Sequence, residues 1–363
     1  MPTSDRAIVV GGSIGGLTVA IALARKGIET TVFEKRDTFA GRGGVGVDYR
    51  MLCEATGEDP DTSLAYIFGY RRSTSFNALY EWLADVATRT DGLRLRLDTP
   101  VLAVSQDAEQ VYADIGSELV AAEILVGADG FRSLVRGVVN PVDSLTDYAG
   151  YLAWRGWIAE SDLPQGTPLP ADDLVGFDSP PQSLVAFPLP GLNNVDRAKG
   201  HRTIGFAWFD PTRTALLEQT GCVQDGKVLR GLEMSMFPAG LTDELIGTAR
   251  RLWPEPWCQA VVTCLEQGIA FGTPIGEYYP ERMVRGRIAV IGDAAHAMAP
   301  ATGQGYNSSV LDSIALRDSV IHGLRGAAGP AVLARFERAR LRPSQELVSA
   351  SKSWSRRFAA AAH

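Results

Sequence analysis

Three glycine-bearing clusters follow apolar runs in this 363-residue chain, and the residue types of the first and third suit gripping a ligand. The first is Gly11-Gly12-Ser13-Ile14-Gly15-Gly16, with Glu34 following about 20 residues on. The second is Gly127-Ala128-Asp129-Gly130-Phe131-Arg132-Ser133. The third begins Gly292-Asp293-Ala294-Ala295-His296 and continues through Pro300 and Gly303 to Gly305-Tyr306-Asn307. Glycine loops at helix starts turn free backbone N–H groups toward anionic oxygens, and a carboxylate accepts from hydroxyls such as those of a ribose. For the third cluster alone an ordinary strand-to-helix crossover, with Asp293 as a cap, is an equal reading.

The elements around these clusters give them a setting. Ala7–Val10 is a short apolar strand, Leu17–Lys26 has a helical apolar pattern closed by Gly27, and Thr30–Phe33 is a second strand ending at Glu34. This strand–turn–helix–strand unit is the nucleotide-binding half of a Rossmann-type fold, with Glu34 placed to accept from ribose hydroxyls. One departure stands in it: Ser13 occupies the middle glycine position, where a small hydroxyl still permits close approach and can bind a phosphate oxygen. Glu123–Gly127 reads as a further strand ending in the Asp-Gly turn. Ile288–Ile291 reads as a third, leading through the Pro/Gly turn into a helix over Tyr306–Leu324.

Gly41–Val47 holds too many glycines for a stable helix or strand interior and reads as a loop whose backbone lies against a ligand. Helical patterns follow at 49–57 and 75–89, then three short strands at Leu93–Leu97, Val101–Ser105 and Val111–Ile115. From about 145 to 275 strands dominate (Tyr151–Trp157, Ser183–Phe187, Thr203–Phe209), with helices at 242–252 and 257–267. Ile204, Phe206 and Trp208 share one strand face, which serves either core or binding surface. A long helix spans Pro330–Arg357. The expected fold is α/β: a discontinuous Rossmann-type domain over 1–145 and 276–363, with a mostly β domain, 146–275, inserted and a long C-terminal helix.

Composition narrows the classes. The chain is 45% hydrophobic and 21% charged, as globular proteins are, and no apolar run approaches the roughly 18 residues of a membrane span. The net charge of −7 with no basic block argues against nucleic acid. Cys53, Cys222, Cys258 and Cys264 show neither CxxC pairs nor metal-ligand spacing, so reduced thiols, no metal site and a cytoplasmic location are expected.

Taken together, the three clusters in their order and spacing resemble the class A FAD-dependent aromatic monooxygenases, the family with the p-hydroxybenzoate hydroxylase fold. The likeness spans nearly the whole chain, and Trp154-Arg155-Gly156 with Thr74-Ser75-Phe76 most resembles the 2,6-dihydroxypyridine hydroxylase-like branch. The resemblance implies FAD as cofactor and NAD(P)H as transient reductant. Gly11, Gly12, Ser13, Ile14, Gly15 and Gly16 would cradle its pyrophosphate, Glu34 and Lys35 would meet the adenosine, and Arg42 would lie near phosphates or flavin. Val104 would offer backbone to the adenine, Asp129 would lie near the pyrophosphate and the NAD(P)H phosphates, and Asp293 would bind the ribityl chain or pyrophosphate. Gly305, Tyr306 and Asn307 would present N–H groups to the pyrimidine edge, and Gly43–Val47, Gly46 included, would touch the ring face.

The function so implied is hydroxylation of a small electron-rich aromatic or heteroaromatic compound by O2 through a C4a-hydroperoxyflavin. No side-chain catalyst is required, because the cofactor carries the chemistry. The oxygen-transfer face would lie near Pro300, and Trp154, Phe187 and Trp208 are the candidate substrate walls. His296, inside a family motif beside Asp293, reads as structural. Baeyer–Villiger oxidation, epoxidation, a simple flavin oxidase or reductase, and a non-catalytic flavoprotein are the alternatives. Halogenation is disfavoured, because Trp154-Arg-Gly-Trp157-Ile158 lacks the halogenase spacing.

Overall fold

The apolar runs that begin at Ala7, Ile124 and Ile288 become neighbouring parallel strands. A computed structural model describes residues 5–37, 43–60, 73–168, 174–191 and 198–361. In it Arg6–Val10 pairs in parallel with Glu29–Phe33 on one side and Ile124–Gly127 on the other. Ile288–Val290 and Leu93–Arg96 extend the sheet in parallel at its two flanks, and Val284–Arg285 closes one edge as a hairpin. The central strands are buried on both faces, which is why they read as unbroken apolar runs rather than alternating ones. Helix Ile14–Ala24 is buried almost all round, packed between this sheet and the helices Phe76–Thr88 and Gly305–Ser319.

Between Ile124–Gly127 and Ile288–Val290 the chain builds a second, seven-stranded sheet. Its order runs Val175–Ser179, Gln182–Leu189, Thr203–Asp210, Asp147–Ala159, with Phe271–Glu277 antiparallel to the last of these. Side chains alternate across it with period two. Trp154, Leu184, Phe206 and Trp208 pack toward the helices Leu241–Leu252 and Trp257–Glu266. Arg155, Trp157, Val185, Phe187 and Ala207 occupy the opposite face.

Some elements differ from expectation. The strand expected at Tyr151–Trp157 is longer, Asp147–Ala159, with a register shift between Tyr148 and Leu152. Val175–Ser179, Leu119–Ala122 and Phe271–Glu277 form strands that the pattern does not announce; the last contains two glycines and Pro274, which mask its β character. The helix from Gly305 stops at Ser319, where Val320 turns extended. The C-terminal helix runs Ala328–Ala360 straight through Pro343, because residues from Val332 to Ser355 along one face stay buried. Buried Glu277 secures it, accepting from Ser351 Oγ (2.5 Å) and Ser355 Oγ (3.0 Å). Ser351 Oγ in turn accepts from Ala299 N–H at 2.8 Å, so the same contact fixes the turn before Pro300. No helix among the described residues is long and apolar enough to cross a membrane.

A buried ion pair lies at one end of the second sheet, just beyond Ala159 and just before Thr203. Glu160 accepts from Arg202 Nε at 2.9 Å and from Gly200 N–H at 2.7 Å. Removing one member strands the other charge, so Glu160→Leu is expected to cost about 3 kcal/mol or more in urea unfolding. Adding Arg202→Met should recover part of that loss; equal stability of single mutant and wild type would contradict the role assigned to the pair.

Candidate cofactor site

The first sheet brings the three clusters together by register. Gly11, Ala128 and Ile291 each follow the carboxyl end of a strand, and each donates its N–H across the strand ends: to Phe33 O (2.8 Å), Val10 O (2.8 Å) and Gly127 O (3.0 Å) respectively. Residues more than a hundred positions apart therefore share one rim, the place where open α/β sheets bind ligands.

On that rim Gly11 has φ +101°, and a Cβ there would lie 2.5 Å from Ala128 O. A Cβ on Gly16 would lie 1.8 Å from Gly11 O, so helix and strand approach as closely as only glycine permits. Helix Ile14–Ala24 has no side-chain cap and no acidic residue in its first turn. Its leading N–H groups and the Ser13 hydroxyl have no recorded acceptor among the described residues. Glu34 is buried beside them and accepts from Gly12 N–H at 2.8 Å and Arg36 N–H at 3.1 Å. Helix Gly305–Ser319 repeats the pattern, without side-chain cap or early acid. Two uncapped helix starts on one rim form a ready anion site.

Asp293 lies between them. It is surrounded by protein, and burial pushes its carboxyl above the usual range, with His296 and Arg136 only partly offsetting this. Yet its side chain is exposed, and no hydrogen bond to it is recorded. A group both deep and accessible faces an open cleft, so its geometric exposure describes the cleft rather than bulk solvent. The turn that carries it is held by Asp312, whose Oδ2 accepts from Gly292 N–H (2.9 Å) and meets His296 Nε2 (2.7 Å). Arg340 Nε donates to Asp312 Oδ1 at 2.8 Å. Burial raises the Asp312 carboxyl, but His296, Arg340 and the Gly292 amide outweigh it and hold it below the usual range. Arg136, also buried, donates to the carbonyls of Asp293 and Ala294 (both 3.2 Å) and to those of Phe131 and Ser144, clamping the second cluster to the third. Sequence reasoning assigned no part to Asp312, Arg340 or Arg136. Asp312 stands out only as an acid in a helix otherwise rich in small residues, and nothing local separates the arginines from surface ones.

Other expected residues take different parts. Asp129 is not a free carboxylate: it accepts from Ser133 Oγ (2.5 Å), Leu134 N–H (2.8 Å) and Val135 N–H (3.2 Å), and so anchors the start of helix Leu134–Val139. Tyr306 turns its side chain inward, its hydroxyl 3.0 Å from Thr18 Oγ1, which leaves its backbone to face a ligand. Asn307 Oδ1 accepts from Asp48 N–H at 2.8 Å and ties the Gly44–Gly46 strand to the helix start. Val104 sits in a separate three-stranded sheet, half-buried against the main core, and Lys35 is exposed. The Pro300 carbonyl accepts from Gly303 N–H at 3.0 Å within a tight turn. Arg42 lies outside the described residues.

Of the three expected substrate walls, two are corrected. Trp154 and Trp208 are buried on the helix side of the second sheet, where Trp154 Nε1 donates to Asp210 and Trp208 Nε1 to Gln182, both at 3.1 Å. Both are core residues facing away from the cleft. Phe187 faces the cleft: a Cβ on Gly44 would lie 3.0 Å from its ring.

Comparison with known proteins matches residues 9–81 to a model described as an NAD(P)-binding Rossmann-like domain, and residues 272–351 to one described as an FAD binding domain. The 2,6-dihydroxypyridine 3-monooxygenase of Paenarthrobacter nicotinovorans is 26% identical over 90% of this chain and 86% of its own length. The solved 2,6-dihydroxypyridine-3-hydroxylase of Arthrobacter nicotinovorans superposes with a TM-score of 0.73 at 23% identity, covering 99% of this chain and 93% of that one. A Klebsiella pneumoniae protein solved with FAD and uric acid superposes with a TM-score of 0.68 at 20% identity, covering 98% and 92%. These structures share the fold. FAD fits what the rim offers: two uncapped helix starts for its phosphates and ring edge, a glycine cradle too tight for any Cβ, and the Asp293 carboxylate, which has no hydrogen-bond partner among the described residues.

The two aspartates should respond with opposite sign. A carboxyl raised above its ordinary value of about 3.9 costs stability at neutral pH, a cost relieved as pH falls through the raised value. A lowered one contributes stability at neutral pH that is lost as pH falls through the lowered value. Asp293→Asn is therefore expected to raise the melting temperature of the flavin-free protein while weakening FAD binding on the order of tenfold or more. Asp312→Asn should lower both, as read by thermal melting and flavin fluorescence titration. Unchanged FAD affinity in Asp293→Asn would remove its assigned part.

Proposed function

We propose that this chain, which belongs to the class A FAD-dependent monooxygenases, hydroxylates a small electron-rich aromatic or heteroaromatic compound with NAD(P)H and O2 as co-substrates. When bound and reduced, FAD supplies O2 activation and the transfer of one oxygen atom, and the nicotinamide supplies the electrons. The chain supplies binding, orientation and exclusion of water. On this reading the Gly305 helix start directs its positive end at the ring edge on which negative charge gathers, and Asp293 takes the ribityl hydroxyls. Residues 1–145 and 276–363 then serve as the cofactor part, and 146–275 as the substrate part.

The observation that carries this reading is the meeting of two walls. Gly43 and Gly44, continuous with the cofactor rim through Asn307, face an aromatic-bearing side of the second sheet. The side chains there (Trp157, Val185, Phe187, Ala207, Phe271) are each half-buried, as the lining of an open cleft is. Apolar, aromatic-lined concavities suit planar ligands. The named activities of relatives on dihydroxypyridine and urate support a small heteroaromatic substrate.

The test is NADH and NADPH oxidation by the FAD-loaded protein with electron-rich phenols, hydroxypyridines and pyrroles under labelled O2. Substrate-stimulated oxidation with one labelled oxygen atom on a ring carbon is expected. Insertion beside a ketone would instead indicate Baeyer–Villiger chemistry, and nicotinamide use indifferent to every compound would overturn the reading.

A further inference from the structure

The last turns of the C-terminal helix carry an aromatic pair that the cofactor rim does not use. Trp354 and Phe358 stand one turn apart on one face of helix Ala328–Ala360 and stack in parallel, with 5.2 Å between ring centroids. Tyr151 meets them edge to face at 5.9 and 5.0 Å, and Phe209 meets Phe358 at 6.4 Å. Tyr151 and Phe209 lie on the cleft side of the second sheet, in one apolar cluster with Val185 and Ala207. Ala299, the residue before Pro300, is buried in the same cluster. The pair therefore sits where the sheet, the terminal helix and the turn leading to Pro300 meet.

This helix end is held in place. Glu277 accepts from Ser351 and Ser355, and Lys352 Nζ donates to Asp147 at 2.8 Å. Tyr151, Phe209 and Ala299 fill the middle of the cluster and are buried, whereas Trp354 and Phe358 are only half-buried. The Trp354 indole N–H is not enclosed and has no hydrogen-bond partner among the described residues, so one edge of that ring stays open. At the other end of the sheet face Phe187 lies across Gly205, where a Cβ would stand 2.6 Å from its ring. Between these aromatic ends the floor is low, with Ala207 midway between Phe209 and Gly205 on one strand. Phe209 to Gly205 spans about 13 Å of strand, an interval that suits one substituted six-membered ring.

We propose that Trp354, backed by Phe358, is the end wall of the substrate cleft opposite Phe187, and that it is a specificity-determining residue which limits the substrate to a single substituted ring. The proposal rests on the reading that the cleft receives a small aromatic compound. It adds a size limit, and assigns that limit to the C-terminal helix rather than to the second sheet.

The test is flavin absorbance titration of the FAD-loaded protein with probes that differ by one fused ring. Resorcinol is compared with 1,3-dihydroxynaphthalene, and 2,6-dihydroxypyridine with 2,6-dihydroxyquinoline. Wild-type protein should bind at least one single-ring member about tenfold or more tightly than its fused partner. Trp354→Ala should erase that gap by admitting the fused ring. The milder Trp354→Leu should narrow it, and it carries the test where the alanine variant does not fold. Both variants should bind FAD with affinity within about twofold of wild type. Wild-type protein that takes fused rings as readily as single ones overturns the proposal, and so does a gap that survives in the folded variants. An equal loss of affinity for both members of each pair, with a lower melting temperature, would also overturn it and make Trp354 a packing residue of the terminal helix. Wild-type protein that binds no member of either pair would overturn both the end wall and the reading beneath it. Size selection set by Trp354 without stimulated nicotinamide oxidation would leave the wall standing and count against hydroxylation instead.

Discussion

Asp312 is a carboxylate with no access to solvent, and the geometry of the cofactor rim depends on it. It gathers the Gly292 amide, His296 and Arg340, and so fixes the turn from which Asp293 enters the cleft. A buried charge of this kind is tolerated because its partners are several and well placed; with one removed, the rest would hold an uncompensated charge. Arg136 continues the constraint from the other side by binding the carbonyls of Asp293 and Ala294. Two polar centres inside the protein thus hold a loop whose outward carboxylate has no hydrogen-bond partner among the described residues. The folded chain bears the cost of desolvating Asp293 in order to offer it to a ligand.

The same division between engaged and free groups runs through the site. Asp129 is taken up by its own helix start, Tyr306 by Thr18 and Asn307 by Asp48. Among the described residues, the groups left without a partner include the two uncapped helix ends, Ser13 and Asp293 on the cofactor side, and Arg155 on the facing sheet. Asp293 is acidic, and Arg155, where the second sheet approaches Gly43, is cationic.

Much of this was legible in the sequence because it is written locally. The glycine run before Leu17, the Glu34 spacing and the apolar strand before Asp293 are short-range patterns tied to backbone geometry, and each sits where its pattern requires. What escaped is decided by contacts distant in the chain. Arg340 resembles its neighbours in an arginine-rich helix, and only the fold brings it to Asp312. An aspartate after a strand reads alike whether it caps a helix, as Asp129 does, or faces a cleft, as Asp293 does. Alternation showed that Ile204, Phe206 and Trp208 share a face, but period two cannot tell which face meets helices and which meets the cofactor domain. For Trp154 and Trp208 the helices Leu241–Leu252 and Trp257–Glu266 settled it, and the neighbouring Arg155 was left on the open side.

The claim on which everything else stands is that the rim is built for FAD. Titrating the flavin-free chain with FAD, followed by flavin absorbance and by the protein's melting temperature, addresses it most directly. The account predicts saturable binding at one FAD per chain with a matching rise in melting temperature. A chain that is purified without flavin and cannot be reconstituted with FAD would contradict it.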